Sequence, residues 1–274
     1  MTMTPSTTEL TALTEVLYRD GIVGLPGALP RSWGDQLASD ATTLLGEALD
    51  WPRGTINRGR NRVYFSVHPQ RITGLSALLG HPQVTTLAEA VLGPRWRIVE
   101  VAFDVPLPGS RHQPWHRDFA MPAETRDEHR LTSLAVNATA VDVTLEHGPF
   151  EIVPGTHWDH GDDLKHGMFV PKDRSADFDT RAVPKLPRRG DLSVRTGLTI
   201  HRGSPNRSTQ PRPVLIVGLA GPEADTRPHY LEVTQAYLER LAVDIAARLD
   251  ATVVKELRPL TQTHDIEGLV MGDE

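Results

Sequence analysis

The chain has 274 residues, of which 39% are hydrophobic and 23% charged, with 22 glycines and 22 prolines. This balance is typical of a globular protein with many turns. The formal net charge of −6 argues against a nucleic-acid partner, because an acidic chain repels polyphosphate. The absence of cysteine excludes disulfides, iron–sulfur clusters and thiol catalysis, so a metal would need histidine and carboxylate ligands.

The beginning of the chain, MTMTPSTTEL, lacks the basic and apolar regions of a signal peptide. No apolar stretch approaches the roughly 20 residues that cross a bilayer. The sequence therefore predicts a cytoplasmic protein that has no membrane partner.

The N-terminal third is predicted to be mostly helical. Ser6 and Glu9 have the spacing of a capping box, and the helix that follows should end near Gly21, before a short strand, IVGL. A second helix should begin at Ser32, and a third should lie between Pro82 and the Gly93-Pro94 pair.

From Arg95 onward the pattern changes to that of strands. Apolar residues alternate from Val99 to Val105, as they do in a half-buried strand. Further strand signals follow at 131–145, 150–153, 191–195, 199–201 and 212–219. Because no long helix separates them, antiparallel pairing is expected, in a sandwich or in a jelly-roll barrel, the double-stranded β-helix of cupin-like folds.

One last helix is predicted from Thr234, with an apolar face that covers the barrel from outside, formed by Leu238, Leu241, Ile245 and Leu249. The fold class is thus mainly β with flanking helices. No linker or repeat divides the chain, so a single domain is expected over 1–274. It would comprise a helical part at about 1–94, the barrel at about 95–221, and a covering helix and tail at about 222–274.

The histidines are the best candidates for chemistry in a chain without cysteine. The His-x-Asp pattern occurs three times, where chance gives roughly one copy. His116 and Asp118 follow the strand that ends at Val105, and in an extended segment their side chains would share one face. The other two copies begin at His157 and His160, in a stretch of turn-forming and charged residues, and are interpreted mainly as a surface turn.

A metal held by His116 and Asp118 needs a third ligand, and His201, at the end of the predicted strand LTIH, is the best candidate. Two histidines and a carboxylate form the facial triad of non-haem iron, which leaves coordination positions open. Taken singly, His116 and His201 are interpreted equally well as ordinary core or surface histidines.

Three segments together resemble the phytanoyl-CoA dioxygenase family of iron(II)- and 2-oxoglutarate-dependent oxygenases. They are QPWHRDF at 113–119, GPFEIVPGTH at 148–157 and HRGSPNRSTQPRP at 201–213, and they occur in the family's order and spacing. The resemblance implies that His116, Asp118 and His201 bind Fe(II). It also implies that Arg212, eleven residues after the distal histidine, binds the far carboxylate of 2-oxoglutarate, and that O2 is the second cosubstrate.

Arg212 is expected to open a strand antiparallel to the one that ends at His201, and to point its guanidinium into the barrel. Arg207 is the rival, but should be exposed. Asn206 and Ser208 are expected to shape the loop through local hydrogen bonds. Three more side chains are candidates for contact with the cosubstrate or the metal shell, namely Gln113, Asn137 and Tyr64. Two of them also have a structural interpretation: Gln113 would fix a turn, and Tyr64 would be a core aromatic.

The substrate side of the site is less well specified. Arg58, Arg60 and Arg62 alternate along NRGRNRVYF, and in an extended chain they would present three guanidinium groups on one side. Arg60 and Arg62 are taken as candidates for an anionic substrate, and a charged, solvated edge strand is the alternative. Phe119 and Met121 follow the predicted aspartate ligand and would line the substrate side of the iron.

The family implies hydroxylation of an unactivated C–H bond in a small molecule, with release of succinate and CO2, and a small secondary metabolite is the expected substrate. Asp118 disfavours halogenation, because halogenating relatives leave a small residue there. Desaturation, epimerisation and ring formation use the same oxidant and stay open. Outside this class, the alternatives are a cupin-like metal enzyme without 2-oxoglutarate and a non-catalytic binding protein.

Overall fold

The computed structural model describes residues 4–224 and 231–263. Its helices are α1 Thr7–Asp20, α2 Arg31–Asp50, α3 Leu75–Leu79, α4 Pro82–Leu92, α5 Ala123–Glu128, α6 Ser175–Arg181, α7 Gln235–Leu238 and α8 Val243–Arg248. Its first six strands are β1 Ile22–Leu25, β2 Ile56–Asn57, β3 Arg62–Ser66, β4 Arg97–Pro106, β5 Ser133–Thr139 and β6 Phe150–Ile152. The others are β7 Val183–Lys185, β8 Leu192–Arg195, β9 His201–Gly203, β10 Val214–Ala220, β11 Glu232–Thr234 and β12 Thr252–Val254. Within these residues, no helix has both the length and the apolar composition that crossing a bilayer requires.

Local signals in the sequence account for the first helices. The Ser6 hydroxyl accepts from the backbone N–H of Glu9, and the Glu9 carboxylate accepts from the backbone N–H of Ser6, which completes the predicted capping box. Gly21 ends α1 with a φ of 78°, a left-handed conformation that glycine adopts without the steric cost of a Cβ. Pro82 and Gly93 bound α4 as predicted.

A seven-stranded antiparallel sheet forms the larger layer, in the order β1-β8-β5-β10-β4-β3-β2. Alternate residues of its long strands point to opposite faces. On the back face, Val101 and Phe103 of β4 and Val217 of β10 belong to a core that includes Leu37 of α2 and Leu87 of α4. The helices thus cover the back, and the front face is left for the site.

A smaller sheet, β7-β6-β9, is also antiparallel, and backbone pairing extends it from His201 to His116 and from His116 to Phe169. Contacts between the layers include that of Arg62 of the larger sheet with Gly203 of β9 and that of Arg195 of β8 with Asp118. The predicted class, mainly β with flanking helices in a jelly-roll arrangement, is confirmed.

The structure corrects two details of the strand predictions. His201 begins β9 and does not end a strand, and β9 pairs with β6 in the smaller sheet while β10 lies in the larger one. The two therefore form no hairpin, because the chain crosses between layers in the loop from 204 to 213. In addition, β1, β2 and β3 belong to the larger sheet, so the sheet extends beyond the expected boundary near residue 95.

The single helix predicted from Thr234 is wrong in its continuity. The chain forms two short helices, α7 and α8, and Ala242 between them is extended, with ψ at 141°. This break lets the chain return so that β12 pairs in parallel with β11. Leu241 and Ile245 are nevertheless buried in the core, so the apolar face was correctly identified even though the helix is broken.

Candidate metal centre

Backbone pairing places His116 and His201 side by side. The N–H of His116 donates to the carbonyl of His201 at 3.0 Å, and the N–H of His201 donates to the carbonyl of His116 at 2.8 Å. Directly opposed residues in an antiparallel pair project their side chains from the same face, and the two rings are 4.4 Å apart between centroids. Asp118, two residues after His116, shares that face because side chains of an extended segment alternate.

A backbone carbonyl holds Nδ1 of each histidine ring. Nδ1 of His116 is 2.8 Å from the carbonyl of Pro114, and Nδ1 of His201 is 2.7 Å from the carbonyl of Thr199. A carbonyl only accepts, so each Nδ1 carries a proton and each Nε2 offers a lone pair to the cavity. The ligand atoms of His116, Asp118 and His201 lie within 4.8 Å of one another.

The charge states of these groups suit a divalent cation. Burial, together with the neighbouring His201, lowers the pKa of His116 to about 3, so its imidazole is neutral. Burial raises the pKa of Asp118, but Arg195 and His201 oppose this and hold that pKa well below its ordinary value. Two imidazoles and one carboxylate form a donor set that fits non-haem iron(II).

Arg195 is a functional neighbour that the sequence analysis missed. Its Nη1 donates to Oδ2 of Asp118 at 2.7 Å, and its guanidinium lies 5.3 Å from the centre of the Phe150 ring. The side chain is only 7% exposed. The partners are 77 residues apart in the chain, and only the register of β8 brings them together, so no local motif marks Arg195.

Arg212 is buried in a second charged cluster of the cavity. It is 2% exposed, and its Nε has no hydrogen-bond partner within the described parts of the chain. Arg62 lies beside it and donates through Nε to Oδ1 of Asp104 at 2.9 Å, while Nη1 of Arg62 is buried without a partner. Burial, and next the charge of Arg62, lower the pKa of Arg212 to about 9. Two guanidinium groups and one carboxylate leave a net positive charge, which favours a bound anion.

Asn206 anchors the loop that carries Arg212. Its Nδ2 donates to the carbonyls of Pro106 and Gln210, and its Oδ1 accepts from the N–H and hydroxyl of Ser208. These bonds confirm the local role predicted for Asn206 and Ser208, and Arg207 is exposed as expected. Arg212 itself precedes β10, and its N–H donates to the carbonyl of Pro106.

The candidates for cosubstrate contact have different surroundings. Tyr64 lies on the front face of the larger sheet, and its hydroxyl donates to Glu100. Asn137 lies on the same face, opposite Ile216, and its Oδ1 is buried without a hydrogen-bond partner in the described structure. The side chain of Gln113 accepts from the N–H of Gly203 and donates to the carbonyl of Arg58, so it ties together the strands around the site.

The arginines of NRGRNRVYF do not share one side. The segment turns back on itself between β2 and β3, with Gly59 and Asn61 at positive φ, because Arg58 and Arg62 pair through their backbones. Arg60 at the tip is exposed, while Arg62 is 3% exposed and bound to Asp104. Neither an extended row of three cations nor a solvated edge strand describes this hairpin. Arg58 instead lies over the ring of Tyr64, at 4.8 Å.

Of the residues predicted to line the substrate side, Phe119 packs close to Gly197, at the turn near Asp118, and Met121 is buried.

The residues of the other two His-x-Asp copies differ in how far they are exposed. Asp159 and His160 are exposed as expected, but the interpretation of His157 as part of a surface turn is wrong. His157 is fully buried, and its Nε2 contacts the carbonyl of Tyr18 at 3.0 Å, which pins the turn to the end of α1.

Comparison with known proteins identifies a family whose profile covers the residues of this site. The sequence profile of one family, phytanoyl-CoA dioxygenase (PhyH), matches residues 17–214. This match includes His116, Asp118 and His201, and it ends two residues after Arg212.

Three solved structures illustrate the similarity in fold. The epimerase SnoN, solved in complex with Fe3+, alpha ketoglutarate and nogalamycin RO, is 21% identical, with a TM-score of 0.65 over 97% of this chain and 99% of that chain. The non-heme alpha ketoglutarate dependent carbocyclase SnoK from nogalamycin biosynthesis is 21% identical, with a TM-score of 0.62 over 84% and 90%. AviO1 from Streptomyces viridochromogenes Tue57 is 22% identical, with a TM-score of 0.59 over 82% and 100%. At these identities the likeness establishes the fold.

Proposed function

The chain belongs to the phytanoyl-CoA dioxygenase family, and on this premise we propose that it is an iron(II)- and 2-oxoglutarate-dependent oxygenase that hydroxylates an unactivated C–H bond of a small metabolite. The observation that carries the proposal is the group of two Nε2 atoms and one carboxylate within 4.8 Å. Its donor types match those of a facial triad.

We assign the metal to His116, Asp118 and His201. Their Nδ1 contacts fix both imidazoles, and Arg195 fixes the carboxylate, so each ligand atom is oriented by a second group. Bound there, iron with 2-oxoglutarate and O2 supplies the oxidant for the C–H bond and releases succinate and CO2.

We assign the far carboxylate of 2-oxoglutarate to Arg212. Nε of its buried guanidinium has no hydrogen-bond partner among the described residues, and the adjacent Arg62 is already bound to Asp104. A dicarboxylate that reaches from the triad to Arg212 would pass Gly203, the glycine that Arg62 touches two residues after His201. Asn137 and Tyr64 are further proposed contacts, because both lie on the face that the two charged clusters share.

Hydroxylation has alternatives, which the names of the similar structures illustrate. Two of the similar structures are named as an epimerase and a carbocyclase, so epimerisation, ring formation and desaturation remain candidate outcomes of the same site. The mass of the product separates them: hydroxylation adds one oxygen atom, desaturation or ring closure removes two hydrogen atoms, and epimerisation leaves the mass unchanged.

The test needs no substrate. Fe(II) and then 2-oxoglutarate are added to the metal-free protein without oxygen, and the visible charge-transfer band of a chelated 2-oxo acid is recorded. We expect the band in the wild type, its loss in His201→Ala, and about a tenfold to hundredfold higher 2-oxoglutarate requirement in Arg212→Ala. Arg207→Ala, an exposed arginine of the same loop, is the matched control.

A folded, iron-loaded wild type without the band would overturn the assignment. It would favour a cupin-like metal enzyme that does not use 2-oxoglutarate, or a binding protein without catalysis. If the 2-oxoglutarate requirement rises in Arg207→Ala but not in Arg212→Ala, the far carboxylate of 2-oxoglutarate is to be assigned to Arg207.

A further inference from the structure

Glu100 is a carboxylate of the cavity that neither the metal nor the cosubstrate uses. It lies on β4, at one end of a row of directly opposed residues that crosses four strands. The row continues through Gly218 of β10 and Ala135 of β5 and ends at Arg195 of β8. Directly opposed residues share a face of the sheet. Because Arg195 binds Asp118, Glu100 lies on the face that carries the metal centre.

The row between Glu100 and Arg195 forms a trough. Neighbouring strands are about 4.8 Å apart, so three spacings separate the two ends by about 14 Å. The two residues between them, Gly218 and Ala135, have no side chain beyond Cβ. At Gly218 even a Cβ would press on the side chain of Glu100, at 2.8 Å from its Cβ. The two middle residues of the row thus contribute no large side chain, and the side chain of Glu100 lies over Gly218.

The other acidic groups of this face are neutralised, and Glu100 is not. Asp104 is paired with Arg62, and Asp118 with Arg195. Within the described residues Glu100 has one polar partner, the hydroxyl of Tyr64, and no ion pair. An ionised carboxylate has several acceptor positions, so those that Tyr64 does not occupy are available to a bound molecule.

We propose that Glu100 binds the substrate by accepting a hydrogen bond from one of its hydroxyl or amino groups. The substrate class is therefore a molecule that carries a hydroxyl or amino group, and a bare acyl chain would leave the carboxylate desolvated without a donor. This inference rests on the proposed function, because the trough leads from Glu100 to the residue that holds the metal-binding Asp118.

The experiment uses the full chain loaded with Fe(II) and 2-oxoglutarate without oxygen. The probes are monosaccharides, amino sugars and cyclic polyols, each with its fully O- or N-methylated analogue, and a set of acyl thioesters. Binding beside the metal is read as a change in the charge-transfer band. We expect donor-bearing probes to change the wild-type band, and their methylated analogues and the thioesters to leave it unchanged.

Variants then assign the effect to Glu100. Glu100→Leu removes the acceptor and Glu100→Gln removes the charge, and we expect either to weaken the response about tenfold to hundredfold. Glu89→Gln on the outer surface of α4 is the matched control. If Glu100 only held Tyr64 in place, Tyr64→Phe would reproduce the loss and the double variant would add nothing. We expect Glu100→Leu to weaken the response more than Tyr64→Phe does. Thermal unfolding is measured to check that each variant is folded.

The outcomes separate the two proposals. A wild type that shows no band contradicts the proposed function. A wild type with a normal band contradicts the inference about Glu100 if no donor-bearing probe changes it, if thioesters change it instead, or if Glu100→Leu responds as the wild type does.

Discussion

Arg195 and Asp118 form an ion pair in which Nη1 of the arginine lies 2.7 Å from Oδ2 of the aspartate. The other carboxylate oxygen, Oδ1, lies 3.2 Å from Nε2 of His201. One oxygen is thus bound by the arginine, and the other is directed toward the two imidazoles. The pair orients the only acidic member of the triad.

Replacement of Arg195 by Met should therefore weaken metal binding. The aspartate would keep its place in the backbone but lose the group that orients it, and the loss of such a partner typically costs tenfold to a hundredfold in metal affinity. Titration with Mn(II), followed by electron paramagnetic resonance, measures this. Arg181→Met, at an exposed position, is the control, and equal affinities in the two variants would argue against an orienting role for Arg195.

Gly203→Ala should disturb the cosubstrate site through packing. A Cβ at this position would overlap the guanidinium of Arg62, which would have to leave Asp104. We expect a loss of about 1–3 kcal/mol in the free energy of unfolding, as for other overpacked interiors, and a higher 2-oxoglutarate requirement. Urea denaturation and the anaerobic titration measure the two effects.

Gly46→Ala is the matched substitution. Gly46 lies in α2 with open space around its Cβ position, so the same change should raise stability by up to about 1 kcal/mol. Similar destabilisation in both variants would mean that the contact with Arg62 is not responsible.

Asn206→Ala should loosen the loop that carries Arg212. The asparagine is 1% exposed and holds two carbonyls and Ser208, which would be left without these partners. We expect a loss of about 1–3 kcal/mol in stability and weaker binding of 2-oxoglutarate, although Asn206 itself need not touch it. Thr209→Ala, on the exposed part of the loop, should leave both unchanged, and a normal 2-oxoglutarate requirement in Asn206→Ala would contradict the prediction.

His157 should make stability depend on pH in the acidic range. Burial lowers its pKa from 6.5 to about 4, so between these values the unfolded chain takes up a proton that the folded chain does not. The free energy of unfolding therefore has its full value above pH 6.5 and falls as the pH is lowered toward 4. For this one residue the loss is at most about 3 kcal/mol.

The measurement is urea denaturation at a series of pH values. His157→Gln should show a shallower decline than the wild type, whatever its stability at neutral pH, and the exposed His160→Gln should keep the wild-type slope. Parallel curves for wild type and His157→Gln would show that His157 does not cause the decline.

Local patterns in the sequence were sufficient for much of the fold. The capping box at Ser6, the glycine at 21 and the proline at 82 each act on the residues beside them, so their positions identify helix ends directly. The break at Ala242 has no such signal. It depends on the pairing of β12 with β11, a tertiary contact that periodicity does not contain.

The residues of the candidate site likewise fall into those that sequence patterns identify and those that tertiary contacts bring together. His116 and Asp118 are two residues apart, His201 was a candidate from its place in the predicted strand LTIH, and the family resemblance added Arg212. Glu100 and Arg195 reach the site through sheet register, with two strands between the first and last of the row. The arginines near Arg60 misled the sequence analysis because alternation predicts one face only while the chain stays extended, and here it turns.

The backbone pairing of His116 with His201 has a consequence for how metal and fold are coupled. Two main-chain hydrogen bonds set the separation of these residues, and two further carbonyls hold their rings. The site is preorganised, so the free energy of metal binding need not be consumed in ordering its ligands. We therefore expect a chelator to leave a folded apoprotein, in contrast to small zinc domains that unfold when their metal is removed.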